Sequence, residues 1–129
     1  YSEVSLGLDM TARDVQTRLK AKGHPWERAQ AFDGSAVIGQ FMSLEQLGKD
    51  VQDLSFTLAN HGNVLQKGQT KDMLFSVNRL IAAEVSKFMT LKVGDLLFTG
   101  TPAGVAGVQP GDRLVGSLEG HDLFAVNVK

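Results

Sequence analysis

Two short segments gather the side chains that could do chemistry. Asp9-Met-Thr-Ala-Arg-Asp-Val-Gln16 offers a carboxylate, a guanidinium and an amide. Thr99-Gly-Thr-Pro-Ala-Gly-Val105 offers hydroxyls and, through its glycines, open backbone N–H groups. Asp9 carries the oxygen donors that a hard cation such as Mg²⁺ takes. Arg13 can hold a carboxylate through two parallel hydrogen bonds. Gln16 follows Arg13 by three residues and shares its helix face, near a helix N-terminus whose partial positive charge suits an anion. Together the two segments could hold a metal ion and a small keto acid. On spacing alone, plainer accounts are the better ones: a surface ion pair between Asp9 and Arg13, and a glycine-rich link between strands at Thr99–Val105. No Gly-Lys-Ser/Thr ending is present, so the second segment is not a phosphate loop.

The elements that must position these groups are legible in part. Thr11-Ala-Arg-Asp14 has a capping-box pattern and predicts a helix to about Lys22, ending at Gly23 with Pro25 beyond. Asp9 then ends a short preceding strand, and Asp14 is assigned to the cap. Phe32–Phe41 reads as irregular strand. Leu54, Phe56 and Leu58 alternate with polar residues as a half-buried strand, and His61-Gly62 turns it into a return through Val64–Lys67. Thr70 is expected to cap a long amphipathic helix with Met73, Leu74, Val77, Leu80, Ile81, Val85 and Phe88 on its apolar stripe. A strand is expected from Val93 to Phe98. Pro110-Gly-Asp112 turns into a strand with Leu114, Gly116 and Leu118, and Gly120-His121 turns into a last strand with Phe124, Val126 and Val128. This makes two main helices against mainly antiparallel strands, an α+β class with a β-sandwich or roll.

Composition narrows the function. The 129 residues suffice for one domain, and their net charge of -1 gives no electrostatic case for nucleic acid or an anionic membrane. There is no cysteine, which excludes disulfides and thiolate metal sites. No apolar run approaches the ~20 residues that span a bilayer, and no signal peptide is visible, so a cytoplasmic protein is expected. The isolated histidines do not form a zinc pattern. His61 and His121 belong to turns, His24 to a helix stop, and Ser35 lacks the context of a hydrolase nucleophile. Trp26 is expected to pack between helix and sheet.

Taken in order, several segments resemble the fumarylacetoacetate hydrolase family. They are Asp9–Gln16, Gly23-His-Pro-Trp-Glu-Arg-Ala29, Ala31-Phe-Asp-Gly-Ser35, Thr99-Gly-Thr-Pro102 with Gly104-Val105, and Pro110-Gly-Asp112, and the stretches around Gln66–Met73 and Leu91–Asp95 fit the same pattern. The resemblance runs over almost the whole chain, and is nearest the small bacterial acylpyruvate hydrolase, oxaloacetate decarboxylase and 2-hydroxyhepta-2,4-diene-1,7-dioate isomerase type. It implies a mixed β-sandwich roll and a homodimer. It also implies Mg²⁺ or Mn²⁺ held by carboxylates, with a 2-oxo acid or β-diketo acid as the small-molecule substrate. It makes Asp9 a metal ligand, and Arg13, Gln16 and Thr101 substrate contacts.

Two departures stand out. The family's other metal ligands, in a Glu-x-Glu strand, lie upstream of the Asp9 motif. The chain opens at Tyr1 without a methionine, so it is expected to be the C-terminal part of one such catalytic domain. Gln30 stands where the family commonly has a substrate-contacting lysine, so the substrate there meets a neutral amide. Both departures favour a rival, a truncated or degenerate non-catalytic copy. A plain β-rich ligand-binding module is the other.

Overall fold

The computed structural model describes residues 1–129. Its centre is a four-stranded antiparallel sheet, ordered β6-β5-β7-β8. β5 (Ser55–Asn60) and β6 (Asn63–Gln69) form the expected hairpin. His61 and Gly62 both take positive φ, +46° and +83°, as a tight two-residue turn requires. β7 (Arg113–Leu118) buries Leu114, Gly116 and Leu118 as the alternation predicts. It pairs with β8 (His121–Asn127). Gly116 has no side chain for a reason: a Cβ there would lie 2.3 Å from the Phe124 ring. Two short ribbons complete the strands. β1 (Glu3–Val4) pairs with β4 (Met42–Ser43), and β2 (Gly7–Asp9) pairs with β3 (Ala36–Ile38). The α+β, mostly β class therefore holds. The helices are α1 (Arg13–Ala21), α2 (Glu27–Gln30), α3 (Leu44–Leu47) and α4 (Val77–Arg79).

The core sits on one face of the sheet. Val51, Leu54, Val77, Leu118 and Leu123 are buried together, with Val4, Leu6, Met73 and Ile81 packed against them. α4 starts at Ser76, whose hydroxyl accepts the Arg79 N–H. It continues as a π-wound stretch, Leu80–Glu84, and a 3-10 turn, Val85–Lys87.

Several expectations need correction here. Thr70 does not cap this helix, because its hydroxyl accepts the Leu54 N–H at 2.8 Å. The apolar stripe is only partly used, since Leu74 is 97% and Phe88 85% exposed. Val93–Phe98 is not a strand. Lys92 N–H donates to the Asp95 carboxylate at 2.7 Å, and Gly94 at φ +98° closes a turn there. Trp26 is half exposed at the start of α2 rather than packed on the sheet. The last turn is Glu119-Gly120, one residue earlier than expected, with Leu118 paired to His121.

The chain exposes 9024 Å². A compact monomer of its 13.9 kDa exposes about 6,700 Å². Much of the surplus is apolar: Phe88, Met89, Val93 and Leu96 all face outward. No helix is long and apolar enough to cross a membrane.

Glu119 occupies a positive-φ position that glycine would fill more easily. Its side chain accounts for its presence. One carboxylate oxygen accepts the Ser55 N–H at 2.5 Å and the other meets Lys49 Nζ at 2.6 Å. The Lys49 bond, then the Ser55 bond, hold the Glu119 carboxyl below its ordinary range, and the same pair raises the Lys49 ammonium. A depressed carboxyl pKa stabilises the fold above the unfolded value and loses that contribution as pH falls through the folded one. A raised lysine behaves oppositely, losing its contribution only as strongly alkaline pH is reached. Glu119→Gln should therefore lower the melting temperature at neutral pH and flatten its decline between neutral and acid pH. Calorimetric melts across that range check this, and an unchanged acid slope would show that Glu119 is not the group responsible.

Candidate functional site

A backbone ladder builds the site. β2 pairs with β3 through Gly7↔Ile38, Leu8↔Val37 and Asp9↔Ala36. The ladder runs on past the strands: Met10 N–H donates to Ser35 O at 2.7 Å, and Ala12 N–H to Ala29 O at 2.9 Å. Ala29 is wholly buried, so the start of α1 lies directly over α2. Gly34, at φ +78°, makes the turn that lets the chain return. This arrangement lays Asp9–Ala12 along Ala29–Ala36 and sets Gln30 facing Asp9.

Gln30 Nε2 donates to Asp9 Oδ2 at 2.9 Å and lies 3.5 Å from Thr11 Oγ1. The second carboxylate oxygen of Asp9 has no protein partner. Arg13 makes no ion pair with Asp9. It donates instead to Gln16 Oε1 at 3.1 Å, so the expected shared face is real. The capping box is not formed. The residue that caps α1 is Ala12, held extended by its bond to Ala29, and no side chain caps the helix. The Thr11 hydroxyl turns back to Asp9 O, and Asp14 pairs with Arg18 at 3.0 Å. The first backbone bond into the helix is Gln16 N–H to Ala12 O. Earlier N–H groups are left facing outward, beside Arg13.

The second segment is fastened separately. Gln66 on β6 donates to Thr101 Oγ1 at 3.0 Å and to Pro102 O at 3.2 Å. Gly104, at φ +97°, lets the loop lie against β6, where a Cβ would meet Leu65 O at 2.8 Å. No hydrogen bond joins Thr101 to Asp9, Arg13 or Gln30. The link is Phe98, whose ring lies over Gly7, two residues before Asp9.

The remaining candidates stay structural. Ser35 is buried as a rung of the ladder. His61 is exposed and meets Gly111 O at 3.2 Å, while His121 is exposed at the start of β8, not in the turn. His24 donates its backbone N–H to Leu19 O at the end of α1.

The donor chemistry of Asp9 suits a hard divalent cation, which takes about six oxygens. The number of donors does not. No group of three histidine, aspartate or glutamate side chains gathers anywhere in these residues. Asp9 can contribute to a cation site and cannot complete one.

Residues 3–127 match the fumarylacetoacetate (FAA) hydrolase C-terminal family profile. The chain belongs to the fumarylacetoacetate hydrolase family. Among the relatives of this family is the oxaloacetate tautomerase YcgM of Escherichia coli K12. It is 43% identical over 118 residues, covering 92% of this chain and 53% of the relative. Two solved structures are similar. A fumarylacetoacetate hydrolase family protein of Yersinia pestis CO92 superposes with a TM-score of 0.91 at 38% identity, over 99% of this chain and 59% of that one. The fumarylpyruvate hydrolase of Pseudomonas aeruginosa, in complex with Mn²⁺ and pyruvate, gives a TM-score of 0.87 at 38% identity, over 96% and 52%. The chain thus spans about half the length of the curated relatives it matches.

Two contributors to this geometry carry no local sign of their contacts. Gln66 reads only as one polar residue within a strand, and nothing local ties it to Thr101, 35 positions away. Gly7 reads as an ordinary strand residue, yet it is the contact point between the two segments. A Cβ at Gly7 would lie 2.6 Å from the Phe98 ring and 2.9 Å from Val37 O. The ring can move but the Val37 carbonyl belongs to the ladder. Gly7→Ala should cost about 1–3 kcal/mol of stability, as overpacking does. Adding Phe98→Leu should restore only part of it. Urea unfolding reads both, and full restoration by Phe98→Leu would mean the β2–β3 backbone yields freely.

Proposed function

We propose that this chain forms the substrate-carboxylate half of a divalent-metal-dependent enzyme acting on small 2-oxo acids. One observation carries the reading. Asp9 presents a carboxylate with one oxygen fixed by Gln30 and the other unbonded, at the end of the strand that leads into α1, where Arg13 is the first residue and makes no ion pair with it. Oxaloacetate and fumarylpyruvate, named in the two relatives, are both 2-oxo acids. In this reading Asp9 is one ligand of Mg²⁺ or Mn²⁺, and the remaining carboxylates lie outside these 129 residues. The bound ion supplies Lewis acidity to a substrate oxygen.

The chain's own residues do the rest. Arg13 and the open N–H groups of α1 hold the substrate carboxylate, with Gln16 fixing the plane of the guanidinium. The Thr101 hydroxyl donates to the same carboxylate. Gln30 fixes Asp9 and offers a neutral N–H to the neighbouring substrate oxygen. Fixed donors of this kind stabilise negative charge as it develops on an enolate, the species common to C–C hydrolysis, decarboxylation and isomerisation of such acids. The surplus surface, much of it apolar, supports the same reading. At about 2,300 Å² it has the size of an obligate interface, which suits contact with further polypeptide, including the second copy of a homodimer.

A second reading, a non-catalytic family copy, is favoured by the single carboxylate and by Gln30 in place of lysine. Turnover of oxaloacetate or an acylpyruvate by the intact protein with Mn²⁺ decides between the two.

Arg13 and Asp9 should separate in a titration of the intact protein with Mn²⁺ and then oxalate. Arg13→Ala removes a charge-assisted bond worth about 1.5–3 kcal/mol. It should weaken oxalate by roughly 10- to 100-fold and leave the Mn²⁺ affinity nearly unchanged. Asp9→Asn should weaken Mn²⁺ first, and oxalate only as a consequence. Equal losses of both ligands in Arg13→Ala would reduce Arg13 to a support of the fold.

A further inference from the structure

We infer that Gln66 is a positioning residue for the substrate carboxylate, acting through the Thr101 hydroxyl. The inference rests on the proposed role of Thr101. The orientation of the Gln66 amide is fixed by its surroundings. Its nitrogen faces Pro102 O at 3.2 Å and Ala103 O at 3.5 Å, and carbonyl oxygens only accept. The NH₂ group must therefore point into the loop, and its other hydrogen reaches Thr101 Oγ1 at 3.0 Å. A threonine hydroxyl has one proton and two lone pairs. With a lone pair taken by Gln66, and no protein acceptor for the proton, the Thr101 O–H is left to donate outward. Donation is what a carboxylate needs. A freely rotating hydroxyl would spend part of its time offering a lone pair, which repels an anion.

The surroundings hold this geometry. Pro102 packs where a Cβ on Gly68 would lie, 3.0 Å from its ring, and Gly104 lies flush against β6. The loop therefore has little freedom to turn Thr101 away. Gln66 touches no substrate in this scheme. It sets the donor sense of a group that does.

A double-mutant cycle on the intact, Mn²⁺-loaded protein tests this with oxalate as probe. Gln66→Leu and Thr101→Val should each weaken oxalate by roughly tenfold, with Mn²⁺ affinity unchanged. The double variant should lose about tenfold, not about a hundredfold, because both changes remove the same bond. Additive losses would overturn the inference and leave Thr101 as an independent contact. No effect of Thr101→Val would overturn the role of Thr101 itself, and the inference with it. If Gln66→Leu fails to fold by circular dichroism, Gln66→Asn serves in the same cycle. It keeps the donor and shortens its reach, and the same coupling with Thr101→Val is required of it.

Discussion

The site depends on one stretch of backbone pairing, the ladder that joins Gly7–Ala12 to Ala29–Ile38. It fixes Asp9 at a strand end and holds Ala12 extended, so α1 starts at Arg13. It also brings Gln30, 21 residues away in the chain, to within 2.9 Å of the carboxylate. Every rung is a main-chain N–H or C=O that would be costly to leave unpaired. The candidate side chains thus inherit their positions from the backbone rather than from ion pairs. The absence of an Asp9–Arg13 pair is part of this. Arg13 does not spend its charge on Asp9, so both charges remain available to a ligand.

A common device recurs at the three candidate groups. Gln30 donates to Asp9, Gln66 donates to Thr101, and Gln16 accepts from Arg13. An amide can orient a charged or hydroxyl group without neutralising it, because it offers a fixed donor and acceptor but no net charge. A lysine against Asp9 would orient it equally well and cancel its charge. The glycines serve the same end by a different route. Gly7, Gly68 and Gly104 let Phe98, Pro102 and the loop backbone approach strands more closely than any side chain permits.

The central sheet and its small core are self-contained, but the Phe88–Phe98 stretch is not. Most of its apolar side chains face outward, Phe98 excepted, and its backbone finds no neighbouring strand within these residues. The α4 stripe is likewise legible in the sequence yet only partly buried. Periodicity marks which residues are meant for burial, and not which polypeptide covers them.

The sequence by itself determined what local chemistry controls. The β5–β6 hairpin follows from Asn60-His-Gly-Asn63. The end of α1 follows from Gly23 at φ +65°, and the buried alternation of β7 from its apolar period. The strand-end place of Asp9 and the shared face of Arg13 and Gln16 are legible for the same reason, since their spacing is short. Tertiary structure decided whatever depends on a distant partner. Thr11 fails as a cap because the bond to Ala29 holds Ala12 extended, so that α1 starts one residue later, and Thr70 fails because Leu54 claims its hydroxyl. Val93–Phe98 is not a strand because a ladder needs a second backbone beside it. Gln30 meets Asp9, and Gln66 meets Thr101, only after the chain has folded back. A hydrogen bond between residues tens of positions apart leaves no periodic trace in either segment, so only the folded chain reveals it.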